Sequence, residues 1–395
     1  MKKLLKVIIL FISLSLLAVI CTFLATVAYI NNARSPLLWR YKVGNTVMSA
    51  PAIADGTIYF GSLGRADSGF YVLDSNTGQE RWHISTNASV SWTPLVWNKN
   101  VYFSTDDGFF YGLDAETGAE KWHFGPDQRE LDPSECNKCA LHFRPAVLVE
   151  GIIYAGSLDH HLYVLDAKTG VEKWRFSAGD SISEPPAIVG NRVYVSSMDG
   201  NLYVLDTSTG KEVTRFSNSK GIYAGPLYDG DTIYIVDGSL VALDTKTGLE
   251  KWRFDSDPVY EIYNETPSPE LLEFPLEEIT SNILMFNDFL YVKTSNAMYA
   301  VEKNTGEKVW RFDFDDYVFS ELTLSGRNVY IGDAGGHLYS VDAVTGEEVA
   351  KFNMHLFDLS SYLDMEAEFV FSPVVDDDII YFGWNDELYA IQSSK

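Results

Sequence analysis

The side chains best suited to metal or redox chemistry lie together in Cys136-Asn-Lys-Cys139-Ala-Leu-His142. Such a cysteine pair closes into a disulfide, the plainer outcome outside the cytoplasm, or offers two thiolates to zinc. For zinc, His142 and either His160 or His161 would complete the ligand set. A c-type haem site is excluded, because it needs histidine directly after the second cysteine and Ala140 stands there. A second group, Trp92, Arg144, Glu184 and Glu321, combines an aromatic face, a cation and carboxylates. These suit an anionic cofactor or a peptide. No nucleophile is paired with a base, so no catalytic residue is assigned and the chain reads as a non-enzyme.

These residues must be positioned by something, and the sequence around them is repetitive. One phrase of the form Tyr-Val-Leu-Asp-x-x-Thr-Gly runs from Tyr71 to Gly78. It returns, with variations, ending at Gly118, Gly170, Gly210, Gly248, Gly306 and Gly346, and an eighth copy begins at Tyr389 as the chain ends. Before each copy comes a second alternating run, such as Ile58-Tyr59-Phe60 or Val193-Tyr194-Val195. Period-two alternation of aromatic and β-branched residues is the mark of strands. Each unit then has four strands, A to D from the inside of a ring outward. Strand A carries Pro51, Pro94, Pro145, Pro186, Pro226 and Pro373. Proline is compatible with an edge strand, here the one lining a central channel. Strand D carries Trp82, Trp122, Trp174, Trp252 and Trp310, with Thr214 and Ala350 in that place in two other copies.

The repeated aspartates invite a cation-site reading. The turn reading is stronger, since aspartate accepts backbone N–H groups and glycine takes positive φ at little cost. The tryptophans read as packing between neighbouring units. The last unit lacks a strand D, and Leu38-Trp39-Arg40-Tyr41 matches Lys173-Trp174-Arg175-Phe176. The expected fold is therefore all-β: an eight-bladed propeller of four-stranded blades over residues 37–395, closed by an N-terminal strand.

The segment Leu165-Asp-Ala-Lys-Thr-Gly-Val-Glu-Lys-Trp174 resembles the tryptophan-docking repeat of the pyrroloquinoline-quinone-like β-propeller family. That family includes quinone-dependent alcohol and sugar dehydrogenases and the non-enzymatic outer-membrane assembly propeller of the BamB type. The compact blades are similar to the latter. The resemblance implies a role in envelope protein assembly, with no cofactor. The alternative it implies is a quinone- or metal-dependent oxidoreductase, or a small-ligand sensor, using pyrroloquinoline quinone (PQQ) with calcium, or zinc. The adjacent Cys-Cys pair of the alcohol-oxidising members is absent, since the cysteines are Cys21, Cys136 and Cys139.

The repeat is broken in three places, roughly 125–142, 255–281 and 353–370, each between a strand D and the next strand A. Antiparallel geometry puts all three on one face of the disc. Long loops on a rigid scaffold commonly carry binding. Segment 255–281 holds Asp255, Asp257, Glu261, Glu265, Glu270, Glu273, Glu277 and Glu278 without Lys or Arg. Segment 353–370 holds Asp358, Asp364, Glu366 and Glu368, likewise. With Tyr260, Tyr263, Phe357 and Tyr362 interleaved, these segments read as a protein-binding rim.

The N-terminus differs from all of this. Lys2, Lys3 and Lys6 precede an uncharged run from Val7 to Ile30, long enough to cross a bilayer of ~30 Å. Residues 1–36 are thus expected to be a transmembrane helix and short linker. The lysines keep the N-terminus in the cytoplasm, and the propeller lies on the periplasmic or extracellular side. A cleaved signal is the alternative. The net charge of −25 excludes nucleic acid as a partner.

Overall fold

Aromatic and β-branched residues alternating with polar ones pair into antiparallel ladders in which the middle strands are buried on both sides. The computed structural model describes residues 36–393, apart from residue 48 and segments 65–67, 126–141, 218–219, 258–259, 263–270, 274–277 and 355–370. Among the described residues are eight four-stranded sheets and one two-stranded sheet. Blade 1 runs from Ala52 to Ser85, blade 2 from Leu95 to Phe124, blade 3 from Phe143 to Ser177 and blade 4 from Ala187 to Ser217. Blade 5 runs from Leu227 to Phe254, blade 6 from Leu284 to Asp313 and blade 7 from Thr323 to Asn353. Blade 8 joins Val374–Asp376, Ile379–Trp384 and Glu387–Gln392 to Leu37–Lys42 from the other end of the chain.

That last pairing closes the ring as the strand count requires. Trp39 lies opposite Ala390 and Tyr41 opposite Leu388. The indole N–H of Trp39 donates to the Ser75 carbonyl of blade 1 at 3.0 Å. The same device recurs around the ring. Trp82, Trp122, Trp174, Trp252 and Trp310 donate to the carbonyls of Ala115, Ala167, Thr207, Lys303 and Ala343 in the next blade, at 3.0–3.1 Å. Blade 4 has no such tryptophan, and Phe216 packs against the turn at Gly248 instead. Eight apolar clusters fill the eight seams; Phe70 of blade 1 stacks on Phe103 of blade 2 with centroids 4.2 Å apart.

The repeated aspartates build the C–D turns. One Asp74 oxygen accepts the backbone N–H groups of Asn76 and Thr77 and the Thr77 hydroxyl, at 3.0–3.2 Å. The turn glycine is needed for two reasons. Gly210 has φ +68°, and a Cβ there would sit 2.4 Å from Cε3 of Trp174. Gly210→Ala is therefore expected to lose about 2–4 kcal/mol, from left-handed strain plus overpacking. Gly190 has φ +56° with nothing within 4 Å, so Gly190→Ala should lose only the strain, ~1–2 kcal/mol. Equal urea midpoints for the two variants would show that the indole contact is dispensable.

The structure corrects three details. The prolines of blades 1, 2, 4, 5 and 8 sit directly before strand A, and only Pro145 lies inside its strand (Phe143–Val149). The ladder starts one residue later, where N–H donors resume. Segment 255–281 is not a plain loop, because Tyr260–Ile262 and Leu271–Glu273 pair as an antiparallel hairpin. It returns to the ring where the Ile279 N–H donates to the Gly238 carbonyl at 2.9 Å. Nor are all its acids rim charges. Asp257 accepts from Lys308 at 2.6 and 2.7 Å and from Arg311 at 3.2 Å, which holds its carboxyl below the usual range.

The expected membrane helix, residues 7–30, lies outside the described residues. Among those described, no helix is long and apolar enough to cross a membrane.

Candidate functional site

Strand A begins at the channel mouth on the face that carries the B–C turns and D–A crossovers. In blades 1, 6 and 7 a serine three residues ahead of the first residue of strand A braces the end of strand B. Ser49, Ser281 and Ser320 accept the backbone N–H groups of Gly61, Lys293 and Gly332 at 2.9–3.0 Å. In blades 2 and 4 this place is held by Trp92 and Glu184. Two of the symmetry-breaking residues picked out in the sequence thus replace a structural brace.

The structure brings Trp92 and Arg144 into contact, with the guanidinium carbon 4.2 Å from the ring centroid. Arg144 Nε also donates to the Ser183 carbonyl at 3.4 Å. Burial pulls its pKa down, opposed by the negative charges of Glu184 and Asp106. Asp106 in turn accepts the Ser91 hydroxyl at 2.9 Å. Glu184, mostly buried beside Arg144, is pushed up to about 7 by burial and by the charge of Glu321; Arg144 acts in the opposite sense. Glu321 is exposed on the blade 7 side, where its Oε2 accepts the Asn282 backbone N–H at 3.0 Å.

Glu184 makes stability pH-dependent with a definite sign. Its proton leaves near 4.5 in an unfolded chain and near about 7 in the folded one. Between these values the folded state holds the extra proton. Its contribution is complete below about 4.5 and is lost as pH rises through about 7. The loss is on the order of 3 kcal/mol at most. Glu184→Gln should be more stable than the parent at pH 8 and indistinguishable from it at pH 4.5, by urea unfolding. An unchanged difference across that range would contradict this placement.

Sequence reasoning missed Lys293. The register aligns Gly61, Ser104, Gly156, Ser196, Val236, Lys293, Gly332 and Gly383 at the ends of the B strands. A long cation among small or apolar residues was the available signal. The side chain is 3 % exposed, and burial lowers its pKa against the pull of Glu321. Also missed were the exposed aromatics. Tyr223, Tyr317 and Phe319 all lie in D–A crossovers and are 37, 59 and 66 % exposed. They occupy short crossovers rather than the long insertions that drew attention.

Of the predicted rim, Tyr260 lies on the hairpin strand, and Tyr263, Phe357 and Tyr362 lie outside the described residues. Cys136 and Cys139 also lie outside them, so the disulfide and zinc readings stay open. His161 Nδ1 is engaged with the Asp159 carbonyl at 2.8 Å, while His160 Nε2 sits 3.6 Å from Asp180. The His142 carbonyl accepts the Leu158 N–H. Among the described residues no three His, Cys, Asp or Glu groups converge as a metal site.

For an anionic cofactor the mouth offers the Arg144 cation over the Trp92 ring, beside the carboxylates of Glu184 and Glu321.

A family model described as outer membrane protein assembly factor BamB matches residues 24–135, 158–272 and 273–394. The fold is similar to the crystal structure of BamB from Moraxella catarrhalis, with a TM-score of 0.62 and 16 % identity over 90 % of this chain and 97 % of that one. It is also similar to a europium-containing methanol dehydrogenase, with a TM-score of 0.67 and 13 % identity over 90 % and 93 % of the two chains. A quinohemoprotein alcohol dehydrogenase from Comamonas testosteroni gives a TM-score of 0.66 and 14 % identity over 91 % and 77 %. At these identities the structural likenesses speak to the fold. No curated protein matches the sequence.

Proposed function

The chain belongs to the family of the outer membrane protein assembly factor BamB, and from that premise we propose that it is a non-catalytic protein-interaction scaffold of the cell envelope. The partner surface in this reading is the face formed by the D–A crossovers and B–C turns. One observation carries the choice of face. Every strongly exposed aromatic among the described residues, Tyr223, Tyr317 and Phe319, lies there. The opposite face and outer wall expose only aliphatics such as Val171, Leu249 and Val309. Exposed aromatics are typical anchors of protein interfaces, whereas scattered aliphatics are ordinary surface. The hairpin of Tyr260–Ile262 and Leu271–Glu273 lies in the crossover between blades 5 and 6, and the acidic composition of segment 255–281 would steer a basic partner.

In the same reading, residues 7–30 anchor the propeller to a membrane and the ring sits on the periplasmic or extracellular side. Assembly of envelope proteins is the role the family suggests. The test is photocrosslinking in native membranes from residue 317 or 319 against residue 249. A single envelope protein captured from 317 and 319 only, and lost on deleting 258–277, is the expected result. Capture from 249 alone would reverse the face. A quinone-dependent redox activity in the purified chain would replace the scaffold reading.

A further inference from the structure

Lys293 is the most anomalous side chain in the ring. At the same register position a Cβ on Gly61, Gly156 or Gly383 would meet Val90, Ile182 or Val47 of the next blade within 2.3–2.6 Å. The position therefore faces a blade seam beside the channel mouth, where seven blades keep a small or apolar residue. Blade 6 instead places an ammonium there, 3 % exposed. It forms no hydrogen bond or ion pair with any described residue. Three donors are then left without acceptors, a costly arrangement for a buried cation. Unlike Tyr102 Oη and Asn282 Oδ1, which are enclosed without a partner, the ammonium is not fully sealed.

The orphan acceptor Asn282 Oδ1 belongs to the same wall. Asn282 donates its backbone N–H to Glu321, and its side-chain amide to the Leu322 carbonyl at 3.3 Å. Glu321 stands next to it with its charge felt by Lys293, yet more than 4 Å away. The wall thus holds an unpaired cation and an exposed carboxylate, while the unpaired amide oxygen is enclosed. Across the mouth, Arg144 and Glu184 repeat the pairing of cation and carboxylate without a direct ion pair.

We propose that the channel mouth between blades 6 and 7 receives a polypeptide segment bearing a carboxylate and a neighbouring cationic group, with Lys293 taking the carboxylate and Glu321 the cation. The proposal rests on the scaffold reading and names a partner chemistry for it. The acids in the mouth and the net charge of −25 select against a purely anionic ligand. A ligand of both signs satisfies both walls.

The test is calorimetric titration of the full chain with acetyl-Lys-Glu-amide, acetyl-Lys-Gln-amide and citrate. Saturable binding of the first probe at roughly millimolar concentration or tighter is expected. It should weaken at least tenfold for the second probe, and for the first probe with Lys293→Met or Glu321→Gln. Citrate should not compete. Lys293→Met should also raise the unfolding midpoint, because a residue placed for a ligand is held at the expense of stability. A lowered midpoint would make Lys293 structural and overturn the proposal. So would tighter binding of citrate, or no saturable binding of the first probe at roughly 10 mM. Crosslinked capture of a partner through residues 317 and 319 would survive any of those failures, which separates this proposal from the scaffold reading.

Discussion

A chain that begins at residue 43 is expected to lose on the order of 5 kcal/mol of stability, a large share of the ~5–15 kcal/mol that holds a typical domain folded. The deletion removes Leu37–Lys42, which pairs with Glu387–Gln392 and supplies the outer strand of blade 8. It leaves an open sheet edge and uncovers the cluster of Tyr381, Leu388 and Ala390 on which Trp39 and Tyr41 pack. Trp39 also seals the seam to blade 1, where its ring lies 2.6 Å from the place a Cβ on Gly78 would occupy. The single change Trp39→Ala should therefore account for about 3 kcal/mol of the loss. A peptide of residues 36–43 added in excess should restore part of the midpoint by supplying the missing strand. Equal urea midpoints for the truncated and full chains would show that the ring closes without this strand.

The second large effect is expected at Arg253. In blades 3, 4 and 7 an aspartate of the B–C turn accepts a tyrosine hydroxyl from strand C, as Asp199 does from Tyr203 at 2.6 Å. Blade 5 has Val241 in place of that tyrosine. Asp237, 1 % exposed, is met instead by the guanidinium of Arg253 at 2.8 and 3.1 Å. The two charges hold each other, and the carboxylate raises the already high pKa of the arginine. Arg253→Met takes the guanidinium from a buried carboxylate and should cost about 3–5 kcal/mol. Adding Asp237→Leu to that variant should recover most of the loss, since neither charge then remains buried. Chemical denaturation of both variants at neutral pH decides the matter. If the double variant is no more stable than the single one, the loss does not come from an uncompensated charge.

The ring was legible because its determinants are local and repeated. Each copy of the turn phrase carries its own aspartate, glycine and alternating strand, and the unmatched Trp39 announced the closure. The candidate site was legible in part for the opposite reason. Trp92 and Glu184 were picked out for their side-chain chemistry, and the serine brace whose place they take becomes visible only in three dimensions. Lys293 was hidden inside an ordinary strand pattern, because Phe289–Lys293 alternates like its siblings. Its oddness appears when the register sets it beside Gly61 and Gly332. The insertions were located from repeat spacing, but spacing cannot show that Asp257 is spent on Lys308 and Arg311. Nor could composition mark Tyr317 and Phe319, which lie in a crossover of ordinary length.

The proposed partner surface is the crossover face rather than the repeated aspartates and tryptophans. The most direct measurement is the affinity of the captured partner for two double variants. One is Tyr317→Ser with Phe319→Ser, and the other, on the opposite face beside the C–D turns, is Val171→Ser with Leu249→Ser. All four side chains are strongly exposed, so neither pair should disturb the fold. A loss of roughly 30-fold or more, about 2 kcal/mol, for the first pair alone is the predicted result. An equal loss for the second pair, or none for the first, would contradict it.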